Sequence, residues 1–249
     1  MPAIGDADDR REDAASGRAS DERRPVRLSR IGSGLLRRVH PGYARTSAMV
    51  LPYAESWSAA NEAARAGAGP LWVALGDSTG QGIGASSYDR GYVGGLLTWL
   101  GERTGEPWRV VNLSRSGARA ADVLADQLPA MEALDRAPDL VTLAVGANDM
   151  VRRTPPARLA TTLSAVLDRL PPGAVVATLP QGLGHSRPVE VNELIAREAG
   201  RRGLVVADLW GHTGPPWSGK FAADGFHPND AGYRDWAAAF TDALAGRWP

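Results

Sequence analysis

Short runs of consecutive apolar residues recur from residue 70 onward, and longer stretches with helical spacing lie between them. A run of roughly 4–8 apolar residues bounded by turn signals is typical of a strand that is buried on both faces. The pattern predicts five strands, at residues 71–75, 109–113, 140–145, 174–179 and 204–207. The other stretches predict helices at residues 47–67, 92–103, 118–134, 156–170, 189–202 and 230–244.

The alternation of strands and helices favours an α/β fold, in which a parallel sheet is covered by helices on both sides. In such sheets, ligands bind beyond the carboxyl ends of the strands. The residues with candidate chemistry fall at these positions. They are Ser78 after the first predicted strand, Gly117 after the second, Asn148 after the third, and Asp224 and His227 in the loop after the fifth.

The chain of 249 residues is long enough for one α/β domain with an additional terminal segment. The first 24 residues carry mixed charges and almost no large apolar side chains, so we expect them to be disordered. We therefore divide the chain into a charged N-terminal arm, residues 1–45, and a single domain, residues 46–249.

The second half of the arm is basic, because residues 23–45 contain seven arginines and no acidic residue. Aliphatic side chains are interleaved with these arginines. One interpretation is an amphipathic segment that makes a weak contact with an anionic membrane surface or a partner. The other is a solvated arm that packs its few aliphatic side chains on the domain. We favour the second, because Gly32 and Gly34 weaken a helix there.

Composition narrows the classes of function. The formal net charge is zero, which gives no electrostatic argument for a nucleic-acid partner. The chain has no cysteine, and this excludes disulfides, thiolate nucleophiles and cysteine metal sites. Residues 1–24 lack the apolar core of a secretory signal, and no stretch approaches the ~20 apolar residues of a spanning helix. These features favour a soluble, cytoplasmic protein.

The first candidate motif is Gly76-Asp77-Ser78, at a predicted strand-to-helix junction. Glycine allows a sharp turn, and a serine presented near a helix start has backbone N–H groups nearby that can face developing negative charge. A serine at this position is also a common helix cap. The three residues alone leave a nucleophile and a cap as equally good interpretations.

The second motif is Asp224-Gly225-Phe226-His227 in the last loop. A serine hydroxyl needs an adjacent base to attack, histidine has a suitable pKa, and a carboxylate can hold its tautomer. Asp-x-x-His also occurs in surface turns and in metal sites. A metal site has no support, because the other histidines, His40, His185 and His212, stand in no ligand-spaced motif.

Two further elements could supply hydrogen-bond donors. Asn148, in Gly146-Ala147-Asn148-Asp149, carries a side-chain amide that can donate to an oxyanion, although asparagine also favours turns. Gly117 allows a close approach of its backbone N–H, although a glycine at a helix start is the plainer interpretation.

Taken in order along the chain, the four elements resemble the pattern of the SGNH hydrolases, also called GDSL-type lipases and esterases. The resemblance extends from about Pro70 to Ala245. The family's four characteristic residues are matched by Ser78, Gly117, Asn148 and His227. One position departs from the GDSL name, because Thr79 stands where leucine would follow the serine. The nucleophile motif also lacks the Gly-x-Ser-x-Gly elbow of α/β-hydrolases.

The resemblance implies a flavodoxin-like three-layer αβα sandwich with a five-stranded parallel sheet. It implies that Ser78 is the nucleophile, His227 the general base and Asp224 the carboxylate that orients it. The oxyanion would be held by the backbone N–H groups of Ser78 and Gly117 and by the Asn148 side-chain amide. The family uses no metal or organic cofactor in this chemistry.

The resemblance further implies a serine esterase that acts on esters or thioesters. The short insertions between the four elements predict a compact domain with an open site, which suits small or short-acyl substrates. A carbohydrate deacetylase, a lysophospholipase or an acyl-thioesterase on the same triad is the alternative, and a non-catalytic membrane-associated module is a third. Proximity in the sequence to the catalytic groups suggests five pocket residues, although loop packing explains them equally well. They are Thr79, Met150, Leu183, Trp217 and Phe226.

Overall fold

The structure is a computed structural model that describes residues 41–182 and 186–248. Its centre is a sheet in which every pair of neighbouring strands is parallel, with the order β2-β1-β3-β4-β5. This confirms the predicted α/β fold and all five predicted strands. Their bounds are β1 Leu71–Gly76, β2 Arg109–Asn112, β3 Leu140–Ala144, β4 Val175–Ala177 and β5 Val205–Ala207.

Helices precede, connect and follow the strands. Their bounds are α1 Pro41–Ala48, α2 Val50–Ala66, α3 Tyr92–Thr104, α4 Ala120–Glu132, α5 Ala147–Val151, α6 Pro156–Asp168, α7 Ser186–Arg201, α8 Leu209–His212 and α9 Asp230–Leu244. The middle of α4, Val123–Gln127, is π-helical. The segment predicted as one helix over residues 47–67 is two, and the first begins at Pro41.

The sheet has a hydrophobic core on each face, because successive side chains of a strand point to opposite sides. Val73 and Leu75 of β1 pack with side chains of α4, α6 and α7. Trp72 and Ala74 pack on the other face with side chains of α3 and α9. These layers form the expected αβα sandwich. Helix α2 contributes to both cores and lies along the edge strand β2.

Most of the N-terminal arm lies outside the described residues, and with it the basic segment except for its last five residues. The favoured solvated arm and the alternative of a weak membrane contact therefore both stay predictions, as does the domain boundary at residue 46. Among the residues that the structure describes, no helix is both long and apolar enough to cross a membrane.

Candidate active site

Ser78 lies in a tight turn directly after β1. Gly76 has a φ of +156°, and a Cβ there would lie 2.4 Å from the carbonyl oxygen of Ala144 in the neighbouring strand, so glycine allows this close packing. The chain then continues in turns and a short 3₁₀ helix, Tyr88–Arg90, and α3 begins only at Tyr92. The helix expected directly after Ser78 is therefore absent, and Ser78 caps no helix. Asp77 stabilises the turn instead, because its Oδ1 accepts hydrogen bonds from the N–H and the hydroxyl of Thr79 at 3.0 and 2.8 Å.

Ser78, His227 and Asp224 form one hydrogen-bonded chain. The distance from Ser78 Oγ to His227 Nε2 is 2.9 Å, and the distance from His227 Nδ1 to Asp224 Oδ2 is 2.6 Å. The glycine at position 84 lets the two loops meet, since a Cβ there would lie 3.0 Å from the Cβ of His227 and 2.4 Å from the carbonyl oxygen of Pro228. The arrangement can pass the serine proton to the imidazole while the carboxylate holds the ring.

The protonation state of Asp224 determines which groups donate and which accept in the hydrogen bonds between Asp224, His227 and Ser78. Burial would raise the pKa of Asp224. Hydrogen bonds from the imidazole of His227 and from the N–H groups of Phe226 and His227 outweigh it and lower the pKa to about 2. Because the carboxylate carries no proton at neutral pH, Nδ1 of the neutral imidazole must be the donor to Asp224. Nε2 is then the acceptor for the Ser78 hydroxyl.

Asn148 lies beside Ser78 at the start of the short helix α5. Its Nδ2 donates to the carbonyl oxygen of Ala118 at 3.0 Å and lies 3.5 Å from Asp77 Oδ2. Both Asn148 and Ser78 line the same cavity. Gly117, next to Ala118, has a φ of +80°, and no atom lies within 3.9 Å of the position that a Cβ would take. Burial raises the pKa of the Asp77 carboxyl, which bonds to Thr79 through Oδ1 and lies near Asn148 through Oδ2.

Two buried glutamines that the sequence did not single out hold these loops. Gln127 lies in the π-helical stretch of α4, and its side-chain amide pairs with the backbone of Gly76, with distances of 2.8 Å to the N–H and 2.7 Å to the carbonyl oxygen. Gln81 Oε1 accepts from the N–H and the hydroxyl of Ser116 at 2.8 and 2.6 Å. A glutamine in a helix or a turn is usually a solvent-facing residue, so no local signal in the sequence marks these contacts.

A cavity of about 100 Å³ opens beside Ser78. Three of the five predicted pocket residues line it, namely Thr79, Trp217 and Phe226. The structure places Met150 in the hydrophobic core instead, with an exposure of 8%. Leu183 lies outside the described residues. Lining residues that were not predicted include Pro180, Gln181, Phe221, Trp236 and the ion pair of Lys220 with Asp235 at 2.7 Å.

The described residues contain no cluster of histidine, aspartate and glutamate side chains that could hold a metal ion. His212 has other partners, because its ring nitrogens lie 2.9 Å from the carbonyl oxygen of Asp208 and 3.0 Å from Asp242 Oδ2.

Solved structures of the same fold cover about 70% of this chain. TesA has a TM-score of 0.60 and 26% identity, with 70% of this chain and 97% of TesA covered. The lipase Lip_vut3 from a goat rumen metagenome has a TM-score of 0.59 and 18% identity, with 72% and 99% covered. A variant of Axe2, an acetyl xylan esterase from Geobacillus stearothermophilus, has a TM-score of 0.59 and 20% identity, with 72% and 96% covered.

No curated protein matches the chain significantly. The model of the GDSL-like Lipase/Acylhydrolase family matches residues 74–234, which is more than half of the chain and contains Ser78, Gly117, Asn148, Asp224 and His227. The chain therefore belongs to the GDSL-like lipase/acylhydrolase family and is a serine hydrolase of the SGNH type.

Proposed function

We propose that this protein hydrolyses carboxylic esters of small or short-acyl substrates through an acyl-enzyme on Ser78. The observation that carries the proposal is the continuous hydrogen-bonded chain from Ser78 Oγ through His227 to Asp224, at 2.9 and 2.6 Å, at the edge of a cavity. A serine hydroxyl is a weak nucleophile until an oriented base accepts its proton, and these contacts supply that base.

The proposed reaction has two half-reactions that use the same groups. Ser78 Oγ attacks the ester carbonyl while His227 Nε2 takes its proton, and the carbonyl π electrons move to oxygen. The tetrahedral intermediate collapses, the C–O bond to the alcohol breaks, and His227 returns the proton to the leaving oxygen. Water then attacks the acyl-enzyme with His227 as base, which releases the acid and restores the Ser78 hydroxyl.

Three donors are proposed for the oxyanion: the N–H groups of Ser78 and Gly117 and the amide of Asn148. Backbone donors that are fixed before the reaction stabilise developing charge without a cost of reorganisation. The positive φ of Gly117 is a conformation that favours glycine, and the nearest atom to the position of a Cβ there is Nη2 of Arg152 at 3.9 Å. The hydrogen bond from Asn148 to Ala118 ties the side-chain donor to the loop that carries the backbone donor.

The cavity supports a short acyl group. A volume of about 100 Å³ fits a few carbon atoms beside the nucleophile. Four aromatic residues and two prolines line the cavity together with polar and charged residues such as Gln181, Lys220 and Asp235. The related fold of Axe2, described as an acetyl xylan esterase, makes a carbohydrate acetate one member of the substrate panel. An acyl thioester and a lysophospholipid complete the panel, because the same triad chemistry would cleave them.

The test is hydrolysis of nitrophenyl esters of increasing chain length, with labelling by a fluorophosphonate, on the wild-type protein and on Ser78→Ala. We expect the shortest esters to give the highest kcat/KM. We expect Ser78→Ala to lose labelling and to reduce kcat by about 10⁶-fold. The matched control is Ser164→Ala, since Ser164 is half-buried on α6 and does not line the cavity. Persistent labelling of Ser78→Ala would refute the nucleophile, and a preference for long chains would refute the substrate class.

A further inference from the structure

The helices α1 and α2 precede residues 74–234, the part of the chain that the family model matches. They nevertheless contact the loops that carry the site. We propose that this helix pair, residues 41–66, is a positioning element of the active site. It would hold the Asp224 loop through Gly42 and the loop of Gly117 through Asn61. The inference rests on the catalytic roles proposed above.

Helix α1 packs with its backbone directly against the loop that precedes Asp224. A Cβ at Gly42 would lie 1.8 Å from the carbonyl oxygen of Ala223 and 3.1 Å from the backbone nitrogen of Asp224. The buried Thr46 lies one turn later, and its hydroxyl donates to the carbonyl oxygen of Gly42 at 3.1 Å. Any side chain at position 42 would therefore push apart α1 and the residue immediately before the carboxylate that orients His227.

Helix α2 presents a stripe of hydrogen-bonding side chains toward the site. Tyr53, Trp57 and Asn61 are four residues apart and therefore share one face of the helix. Tyr53 Oη donates to the carbonyl oxygen of Ala85 at 2.9 Å, and Trp57 Nε1 donates to that of Gln81 at 3.1 Å. Both contacts bind the loop that follows Ser78.

Asn61 binds the end of β2 with both ends of its amide. Its Nδ2 donates to the carbonyl oxygen of Asn112 at 2.9 Å, and its Oδ1 accepts from the N–H of Asn112 at 2.7 Å. The side chain of Asn112 in turn donates to the carbonyl oxygen of Gly80 at 2.8 Å and accepts from the N–H of Ser114 at 3.0 Å. Asn61 is thus connected on one side to the loop of Ser78 and on the other to the loop that leads to Gly117.

The contacts of Trp57 and Asn61 converge on the loop of Gly117. Gln81, whose carbonyl oxygen binds Trp57, holds Ser116 through its side chain, and Ser116 is the residue before Gly117. A shift of α2 would therefore move the proposed backbone donor relative to Ser78. Misplacement of a catalytic group by about 1 Å can cost about 10²-fold in rate.

The first test is Gly42→Ala, with Gly200→Ala as the matched control. Both glycines lie in helices without a positive φ, and alanine favours a helix over glycine at both positions. A Cβ at Gly200 would have no atom within 4 Å. We expect Gly42→Ala to reduce kcat about 10- to 100-fold with little change in KM, and Gly200→Ala to leave both unchanged.

The hydrogen bond between His227 and Asp224 gives a readout that a general loss of stability would not move. The Nδ1 proton of His227 should give a strongly downfield proton resonance in NMR spectra of the wild-type protein. We expect this resonance to shift or disappear in Gly42→Ala at a temperature where circular dichroism shows the variant fully folded. A folded Gly42→Ala with wild-type kcat and an unchanged resonance would overturn the role of α1.

Asn61→Ala tests α2 and keeps the proposal falsifiable if Gly42→Ala does not fold. We expect kcat to fall about tenfold or more with the downfield resonance retained, because this contact acts on the oxyanion donors and not on the His227–Asp224 pair. Wild-type kcat in folded Asn61→Ala would overturn the role of α2. Failure of the triad itself is separable, because it would show as activity remaining in Ser78→Ala.

Discussion

The two halves of the active site are built in different ways. On the proposed nucleophile side, residues 76–82 are buried and residues 112–119 are partly buried, with Arg115 exposed. The backbone of this side is bonded to buried amide side chains such as Gln127 and Gln81. The proposed base side, residues 213–229, is a long loop after α8, and its large aromatic side chains are partly in solvent. Trp217, Phe221 and Phe226 are exposed by 42%, 39% and 40%, whereas Ser78 is exposed by 7%.

Two polar side chains organise most of the base side. Asp224 accepts from the N–H groups of Phe226 and His227 as well as from the imidazole. Asn229 caps α9 by accepting from the N–H groups of Ala231 and Gly232, and its Nδ2 donates to the carbonyl oxygens of Gly219 and Phe221. These contacts fix the loop near Asp224 and His227, and the ion pair of Lys220 with Asp235 at 2.7 Å ties it to α9.

This difference suggests that the buried side and the exposed rim have different roles in the reaction. Groups that must be placed within fractions of an ångström for the chemical step are held by buried networks, because such networks have a single low-energy arrangement. Groups that contact variable parts of a substrate lie on the exposed rim. Substitutions on the buried side and in the triad should therefore lower kcat, and substitutions on the rim should change KM.

The largest expected effect after loss of the nucleophile comes from Asp224→Asn. The asparagine can still accept from the N–H groups of Phe226 and His227 through its oxygen, so the loop should keep its shape. It no longer requires Nδ1 of His227 to be the donor, and the wrong tautomer leaves Ser78 without a base. We expect kcat for a short nitrophenyl ester to fall by about 10⁴-fold. A folded variant that loses less than about tenfold would remove Asp224 from the triad.

Much of the fold could be predicted, because its signals are local in the sequence. The apolar runs that form β1 and β3 are buried on both faces, so an uninterrupted hydrophobic stretch is their natural pattern. The helix predicted at 230–244 has these bounds in the structure. The candidate site could be predicted from the strands, because residues that directly follow parallel strands meet at one edge of the sheet.

The supporting contacts could not be predicted, because they join residues far apart in the chain. The side chain of Asn61 bonds to the backbone N–H and carbonyl oxygen of Asn112, and backbone groups are the same in every residue, so they give no sequence signal. The close contact of Gly42 depends on where α1 packs. Met150 shows a different limit. It was chosen for its proximity to Asn148, but residues two apart on a helix face different directions, and Met150 packs into the core.

Asn148 gives the next largest expected effect and tests the buried side. Asn148→Ala removes one proposed oxyanion donor and should lower kcat by about 10²- to 10³-fold with a small change in KM. Asn148→Asp has nearly the same shape but places a second carboxylate near Asp77, which lies 3.5 Å from Nδ2. It should be slower than Asn148→Ala, because negative charge repels the developing oxyanion. Equal rates for the two variants, or a wild-type rate for Asn148→Ala, would contradict the assignment.

The smallest expected effect is on the rim, and it decides whether the two sides divide their roles as argued. Trp217 and Phe226 both line the cavity. The ring of Phe226 packs edge-on against the imidazole of His227, with centroids 5.0 Å apart, so Trp217 is the cleaner test of the rim. Removing a contact worth about 1 kcal/mol would change affinity about fivefold.

We therefore expect Trp217→Ala to raise KM about fivefold for the preferred ester and to change kcat less than about twofold. Val189→Ala is the control, because Val189 is 41% exposed on α7 and does not line the cavity. Initial rates over a range of ester concentrations, measured for each chain length, separate the two constants. A fall in kcat at constant KM would show that the rim also positions the catalytic groups. The exposed loop would then contribute to the chemical step as the buried side does.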